Sequence, residues 1–547
     1  MLDILRGGDR HLQVLAIEVL GRLGPAAKEA LPLLVETLKE SKVRSYSLID
    51  AIAKIGPEAV PTLVEAHAHG DRNAREAAAT VLSRMGPAGA LALARALAGA
   101  DPAVRRSAAK AIELMGPAAK EAIPELSRAL TDVDAEIRRS AAKALGGIGP
   151  PARDTVIPLL QSLVDPDPTT RLFSAVALGK IRPEGEETIL TLAKRLEEDT
   201  TASVRSGIAG ALRAFGPAAQ NAVPALVKLL DDPDRSVRES AVRAIGAIGP
   251  AAKRAVLGLV RVLEDSSSTL PERLAALEAL EAMGPDGRGA LPALIQALKD
   301  GDSIVQVRAA KALGRIGPDA KSGIPALAQA LSDKDPSVRE SALMALTHLG
   351  PIAEGAVPAI VRNLGNRSSD LRMQAAEALR AIGPAARQAV PPLIHNLGDS
   401  NPGVRRSAVL ALGRIGPDAK DAVPPIADLL RSLDSGVRKE AATALGQIGP
   451  AAIPILVEAL GRGEHLEVRV LAAEALAKIN PPPKEAVPAL IQNLTDTNAE
   501  VRRSAVLGLG AIGPPAQEAV PALKTLAVRD PFLRNTIELV LEKIEGN

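Results

Sequence analysis

Asn401-Pro-Gly-Val-Arg-Arg-Ser-Ala-Val-Leu-Ala-Leu-Gly-Arg-Ile-Gly-Pro417 reads as a complete set of instructions for one helix. Asn401 is a residue type that accepts a hydrogen bond from the free amides of a first helical turn, and Pro402 suits the next position, where no amide donor is needed. Val404, Ala408, Ala411, Leu412 and Ile415 fall at i, i+4, i+7, i+8 and i+11, which places them on one apolar face. Gly416 can take the left-handed conformation that ends a helix, and Pro417 cannot continue one.

Relatives of this stretch recur along the chain. The Gly-Pro stop appears at Gly383, Gly416 and Gly449, each 33 residues after the last, and the spacing runs from 30 (Gly56 to Gly86) to 35 (Gly249 to Gly284). Eleven residues before most stops stands an arginine, as in Arg105, Arg138, Arg339, Arg405 and Arg438; Gln13, Ser45 and Gln306 are exceptions. Four residues before that column is a capping residue, among them Asp9, Ser41, Asp101, Asp134, Asp335, Asn401, Asp434 and Asp530, with His465 departing from the type. Between a stop and the next cap lies a second apolar segment with an inner proline, such as Pro358, Pro391 or Pro424. A proline there disfavours one continuous helix, so the spacing predicts a short turn of helix after Gly-Pro and then an outer helix starting near the inner proline. Pro61 and Pro454 come three residues sooner and should delete that turn, and the repeat after Gly86 has no inner proline.

The repeating unit is thus an outer helix, a tight Asp turn and an inner helix. Neither helix buries its stripe alone, so a fixed period predicts one array in which each unit touches its neighbours: an all-α, right-handed α-solenoid of about 16 two-helix repeats. The expected organisation is a single solenoid over 1–547, with 1–24 a partial or degenerate first repeat and 530–547 a C-terminal capping helix. The Asp265-Ser-Ser-Ser-Thr-Leu270 connection is the one plausible bend.

Composition narrows the function classes. Apolar residues are 47% and aromatics 1%, so the core is Ala, Leu, Ile and Val. A net charge of +2, from 66 Lys and Arg against 64 Asp and Glu, gives no global field toward nucleic acid or anionic lipid. The absence of cysteine excludes disulfides, zinc-thiolate sites and thiol nucleophiles. The N-terminal stretch has no basic segment followed by a long apolar run, and no 18-residue apolar run predicts a membrane span. A cytoplasmic protein is the default expectation. Asn366-Arg-Ser and Asn493-Leu-Thr match the glycosylation pattern, by chance in the absence of a secretory signal.

The capping Asp, the Val-Arg pair, the Ala-Leu-Gly and the Ile-Gly-Pro, seen together in Asp434, Val437-Arg438, Ala444-Leu-Gly446 and Ile448-Gly-Pro450, resemble HEAT repeats (the armadillo-like superhelix class) over essentially the whole chain. The closest likeness is to the short subtype named after phycobilisome (bilin) lyases. Ankyrin and tetratricopeptide repeats share the period but not the motifs: there is no Thr-Pro-Leu-His, and one tyrosine without tryptophan cannot supply the aromatic pattern. In HEAT families the turn Asp and the helix Arg commonly form ladders. The resemblance therefore implies structural pairs of Asp101 with Arg105, Asp134 with Arg138, Asp335 with Arg339 and Asp434 with Arg438, each acid lying four residues before its arginine. The competing reading lines a groove with the Arg column as an anion site.

Chemistry is sparse. The six histidines are scattered, His67 and His69 diverge on a helix, and neither His-Glu-x-x-His nor the His-Glu dipeptides of HEAT-like iron hydroxylases occur. No metal and no cofactor is expected. A bilin-related enzyme would be expected to use aromatic contacts, and Tyr46, Phe173, Phe215 and Phe532 lie in separate repeats. Counting the Val of Val-Arg as position zero, positions 0, 4, 7, 8 and 11 stay apolar, whereas positions 2, 6 and 10 vary and share a face. Along that stripe Arg106, Lys110, Arg139 and Lys143 form an early basic block and Arg406, Arg414 and Lys439 a late one; Leu172, Val176, Met344, Met373 and Leu410 are apolar where a solvated face prefers polar groups. The expected function is a non-enzymatic scaffold that docks an acidic or amphipathic segment of a protein partner on its concave, inner-helix face. Nucleic acid is the alternative partner, interrupted by Glu239, Glu340 and Glu377, and no membrane partner is expected.

Overall fold

The computed structural model describes residues 2–7, 9–40, 46–461 and 463–546; the Ser41 cap and the Ser45 exception lie outside them. The described residues form α-helices and 3₁₀ segments and no strand. They fall into two compact units, Met1–Met283 and Gly284–Asn547. Each unit is a solenoid of the predicted helix pairs.

One repeat of the second unit shows how the local signals work. A 3₁₀ segment, Gly383–Ala389, leads into a short helix, Val390–Asn396, with Pro391 at its second position. Proline fits there because the first-turn amides have no partner within the helix. Ala386, at φ −86° and ψ 19°, leaves the helical region and kinks the entry, so the turn and the short helix are distinct pieces. Asn401 then opens the long helix Pro402–Ile415, its side-chain oxygen accepting from the Gly403 amide at 2.8 Å. Gly416 ends it at φ 80° and ψ −138°. That is positive-φ backbone but not the left-handed helical region expected from the sequence. The following proline disfavours helical ψ in the residue before it, which moves ψ to an extended value open to glycine.

The irregular repeats follow their prolines. After Gly56 the 3₁₀ segment shortens to Gly56–Ala59, and after Gly449 to Pro450–Ala452, so the early prolines trim the turn where deletion was expected. After Gly86, with no inner proline, one continuous helix runs Gly86–Leu97. The caps hold at Asp101, Asp134, Asp335 and Asp434, while Thr201, Ser368 and His465 make no side-chain cap bond. The last helix is Arg534–Glu545, starting four residues beyond Asp530.

Long helices of successive repeats approach closely through small residues. A Cβ added to Gly179 would lie 2.7 Å from the Ala211 Cα, and one added to Gly413 would lie 2.8 Å from the Ala444 Cα. Position zero is buried from Ala74 to Val501; Thr170 and Glu272 break its apolar character. The segment Pro336–Asn363 is long and apolar enough to cross a membrane, but it is two helices joined at Gly350, φ 61°, and is part of the stack.

Gly179→Val is expected to destabilise the first unit by about 1–3 kcal/mol through overpacking. Gly210→Ala, in a helix interior with nothing within 4 Å of the added carbon, is expected to raise stability by about 0.5–1 kcal/mol. Urea unfolding followed by circular dichroism measures both.

Candidate protein-interaction face

Among the described residues, none at positions 2, 6 or 10 of the long helices from Arg72–Leu82 to Ala499–Ile512 is buried. Met344 and Met373 are exposed by 46% and 36%, and Leu172, Val176 and Leu410 are half-buried. Two further apolar side chains stand on the same stripe: Leu114 at position 10, 72% exposed, and Leu507 at position 6. Sequence reasoning passed over both, although their register was enough to find them.

Each of these two leucines lines a groove between successive long helices. In the first unit, Arg75, Arg106, Lys110 and Leu114 border a cavity of ≈ 490 Å³ between Arg72–Leu82 and Pro102–Met115. In the second, Val470, Lys478, Arg503 and Leu507 border one of ≈ 350 Å³ between Leu466–Leu476 and Ala499–Ile512.

Most of the basic stripe is already paired. Arg106 bonds Asp134 of the next repeat and lies 3.0 Å from Glu136, and Arg139 meets Asp167 at 2.8 Å. Lys143 lies 2.6 Å from Glu113 and over the Phe173 ring at 5.5 Å; Arg406 meets Glu440 at 2.7 Å. Donating to Asp134 raises the Arg106 guanidinium above its ordinary value, and donating to Glu440 does the same for Arg406. Lys110, Arg414 and Lys439 are exposed, and none has a carboxylate within ion-pair distance among the described residues. The early basic block expected from the sequence thus reduces to one unpaired cation, Lys110, and the late block to two, Arg414 and Lys439.

The arginine column is a ladder, but its acids are not those four residues earlier. Arg138 donates from Nε to Asp165 Oδ2 at 2.7 Å and from Nη2 to Asp165 Oδ1 at 2.9 Å, while Nη1 reaches back to the carbonyls of Asp132 and Val133 at 2.8 and 3.2 Å. Arg105 takes Asp132, Arg171 takes Asp199, Arg205 takes Asp232 and Arg372 takes Asp399 in the same way, with Nε–O distances of 2.6 to 2.8 Å. Each acid belongs to the turn of the next repeat, two residues before its cap, and folds that turn by accepting the cap residue's amide, as Asp165 does from Asp167 at 2.8 Å.

The expected partners Asp101, Asp134, Asp335 and Asp434 do other work. They accept backbone amides of their own first helical turns through Oδ1, and the second oxygen of Asp134 takes Arg106 of the preceding repeat. Arg438 bonds Glu467 of the next repeat, and Arg339, whose acid position is Asn366 in the sequence, donates to the carbonyls of Asp333 and Lys334 and leaves its Nε without a partner. Gln306, an exception in the column, still reaches Asp333 at 3.2 Å. At the irregular connection Arg238 meets Glu272 at 2.7 Å; Glu272 is 1% exposed and accepts both the amide and hydroxyl of Thr269. With most of its donors satisfied, this column is no anion-binding row.

A second ladder went unread in the sequence. Asn363, Asn396 and Asn493 are buried on short helices, and their side-chain amides donate to the carbonyls of Leu331, Leu364 and Leu460 one repeat earlier, at 3.3, 3.1 and 3.1 Å. The recurring Asn-Leu pair was its signal. Burial of Asn493 also keeps its glycosylation pattern inaccessible. Among the described residues no group of three or more His, Asp or Glu could hold a metal ion.

Stacked helix pairs, a capping acid and an arginine rung define an α-solenoid of short repeats. A family model described as HEAT repeats matches residues 41–113, 91–162, 189–281, 257–346, 291–380, 324–398, 390–477 and 453–542, and the chain belongs to that family. No curated protein matches the chain. Among solved structures it is similar to Kap121p bound to RanGTP, at 15% identity and a TM-score of 0.58, over 99% of this chain and 75% of that one. It is also similar to Kap95p bound to RanGDP, at 13% identity and a TM-score of 0.50, over 100% of this chain and 86% of that one.

The rungs make stability depend on acid. Burial alone would raise the Asp199 carboxyl, but the bonds from Arg171 and the Thr201 amide, with the charges of Arg171 and Arg205, outweigh it and hold the group below its ordinary value; donating to Asp199 raises Arg171. A carboxyl depressed in the folded state contributes stability that is present above its unfolded value of about 3.9 and lost as pH falls through the folded value. The urea midpoint of the first unit is therefore expected to fall steeply below about pH 4, and Asp199→Asn to lower the neutral-pH midpoint and flatten that fall.

Proposed function

We propose that the chain is a non-enzymatic scaffold whose long-helix face, the inner and concave side of such solenoids, docks an amphipathic segment of a protein partner. The observation that carries this reading is the run of apolar side chains across three successive long helices: Met344 on Pro336–Leu349, Met373 on Ser369–Ile382 and Leu410 on Pro402–Ile415. Large apolar side chains held outward on a rigid face are anchors in protein interfaces, and a few such anchors dominate affinity. Arg414 and Lys439, on the same unit as these anchors, supply the unpaired positive charge for an acidic rim on the partner. The grooves at Leu114 and Leu507 extend the same face within each unit.

The fold is one that carries protein partners in Kap121p with RanGTP and Kap95p with RanGDP, which supports a scaffold role without naming a partner. Nucleic acid fits the face less well, because Arg106, Arg139 and Arg406 are held by carboxylates of the same stack and would have to exchange them for phosphate. The short period further supports membership of the bilin-lyase-type subtype of HEAT repeats.

Met373→Asp combined with Leu410→Asp is expected to weaken capture of partner proteins by about 10-fold or more, with the far-ultraviolet circular dichroism unchanged. Quantitative pull-down with the wild-type and doubly substituted chains reads the difference. Equal capture by both would remove this face as the docking surface.

A further inference from the structure

The first long helix, Arg10–Leu23, exposes columns that the later repeats bury. Position 7 is the residue that packs on the preceding repeat. A Cβ added to Gly146, Gly179, Gly314 or Gly413 would meet Ala177, Ala211, Ala345 or Ala444, each of them position 7 of the helix that follows. That position is buried in every described long helix from Tyr46–Ile55 to Arg534–Glu545. In Arg10–Leu23 it is Val19, 41% exposed. Leu12 at position 0 and Leu23 at position 11 are each 48% exposed, where Val404 and Ile415 in the same columns are 0% and 1%. Leu15 at position 3 is 51% exposed and completes one stripe. Ile4, five residues before the cap Asp9, stands in the column of Asn363, Asn396 and Asn493, which reach the preceding repeat, and it too is exposed.

The last helix gives the opposite result. Positions 5 and 9 lie on the side that meets the following repeat, and interior helices fill them with apolar or small residues such as Leu343, Val409 and Gly413. In Arg534–Glu545 they are Glu538 and Glu542, both exposed. A polar outer face of this kind keeps a repeat array soluble. The face at Arg10–Leu23 has no such cover, and its apolar stripe is a stacking surface without a neighbour. It is also bulkier than an interior joint. Val19 stands where alanine is usual, and Leu15 where Ser341, Ser407 and Ser504 stand in later repeats. Such side chains suit a helix held about 10 Å away by leucine contacts.

We propose that this face binds the same face of a second copy of the chain, giving a dimer about a two-fold axis in which the two Arg10–Leu23 helices run antiparallel. The stripe itself selects that occupant. Leu12, Leu15, Val19 and Leu23 are spaced 3, 4 and 4 residues apart, a pattern that reads almost the same in both directions. An axis near Ile17 sets Leu12 against Leu23 of the second copy and Leu15 against Val19, and the symmetry makes each contact twice. Head-to-tail stacking is disfavoured, because it would bury Glu538 and Glu542 against leucine at the cost of stripping water from both carboxylates. The interface continues the repeat-to-repeat contact of the stack itself and uses positions 0, 3, 7 and 11. Positions 2, 6 and 10 take no part, so it stands or falls independently of the proposed docking face.

One helix face is a small interface, so sedimentation equilibrium of the full chain over about 1–100 μM is the measurement. The mass is expected to rise from 56.4 kDa toward twice that value. Leu15→Glu combined with Val19→Glu is expected to raise the dissociation constant by about 100-fold or more, with circular dichroism unchanged because both side chains are exposed. The chain has no cysteine, so an introduced thiol reports the geometry. Under oxidation, a tagged Leu12→Cys chain mixed with an untagged Leu23→Cys chain is expected to cross-link faster than either alone, since only that pairing brings the two sulfurs within disulfide reach. Glu538→Cys is expected not to cross-link with either. A chain that stays monomeric throughout the range would hand the face to another occupant and overturn the proposal. Undiminished association of the folded Leu15→Glu, Val19→Glu chain, or cross-linking through Glu538→Cys, would overturn it too.

Discussion

A guanidinium shared between two turns is the constraint on which each unit of this stack depends. Contacts among Ala, Leu, Ile and Val favour burial but not direction, and a pile of such helix pairs could slide or rotate with little change in buried area. The rung removes that freedom. Arg138 is 13% exposed and Asp165 8%, so both charges are largely out of water, and a charge in that position is tolerated only with its donors and acceptors satisfied. Arg138 meets the requirement in one geometry: backbone carbonyls of its own turn on one side and both oxygens of the next turn's acid on the other. Lysine, a point charge without the planar fork, could not make this bridge. The acid is fixed in turn by the amide it accepts, so each rung sets the register of one repeat on the next.

This division of labour explains what is left on the surface. Turn acids serve either the rung or the cap, position zero and its companions serve the core, and the small residues between long helices set their spacing. Positions 2, 6 and 10 are free of all three duties, yet many charges there are tied across repeats, as Arg106 is to Asp134 and Arg406 to Glu440. An exposed pair of this kind adds little stability. It does mute the field of the face, leaving shape and apolar anchors to decide what the face recognises.

Helix pairs, caps and stops were legible in the sequence because each is a local event, decided within a few residues of Asn401, Pro391 or Gly416. The rung was legible only as a column. An acid four residues before an arginine and an acid 27 or 28 residues after it look equally available on paper. The choice rests on geometry: the arginine's Nη1 leans back onto the carbonyls of the preceding turn, so that Nε and Nη2 face the acid of the next repeat and not the cap of their own helix. Glycine before proline misled in a similar way, since its ψ is set by its successor as much as by its own freedom. Leu114 and Leu507 stood in the same columns as residues that were read, the buried asparagines in one that was not, and registering each position against all repeats would have found them.

An array held by nearest neighbours can lose a rung without losing its fold, because the cost stays with one interface. The ladder shows a graded series of such losses. Gln306 keeps one bond to Asp333, Arg339 keeps its two carbonyls and Arg75 one, and both arginines leave Nε without a partner. An unmet buried donor costs on the order of 1–3 kcal/mol. The array bears that cost at several joints, because the Nε of Arg75, Arg339, Arg438 and Arg469 is in each case without a partner. The irregularities Pro61, the unbroken Gly86–Leu97 helix and the buried His67 gather near the first of these joints, where the two short helices wall a groove that Arg75 does not line. Nearest-neighbour packing carries each such interface, so an unmet donor is a local cost and not a global one.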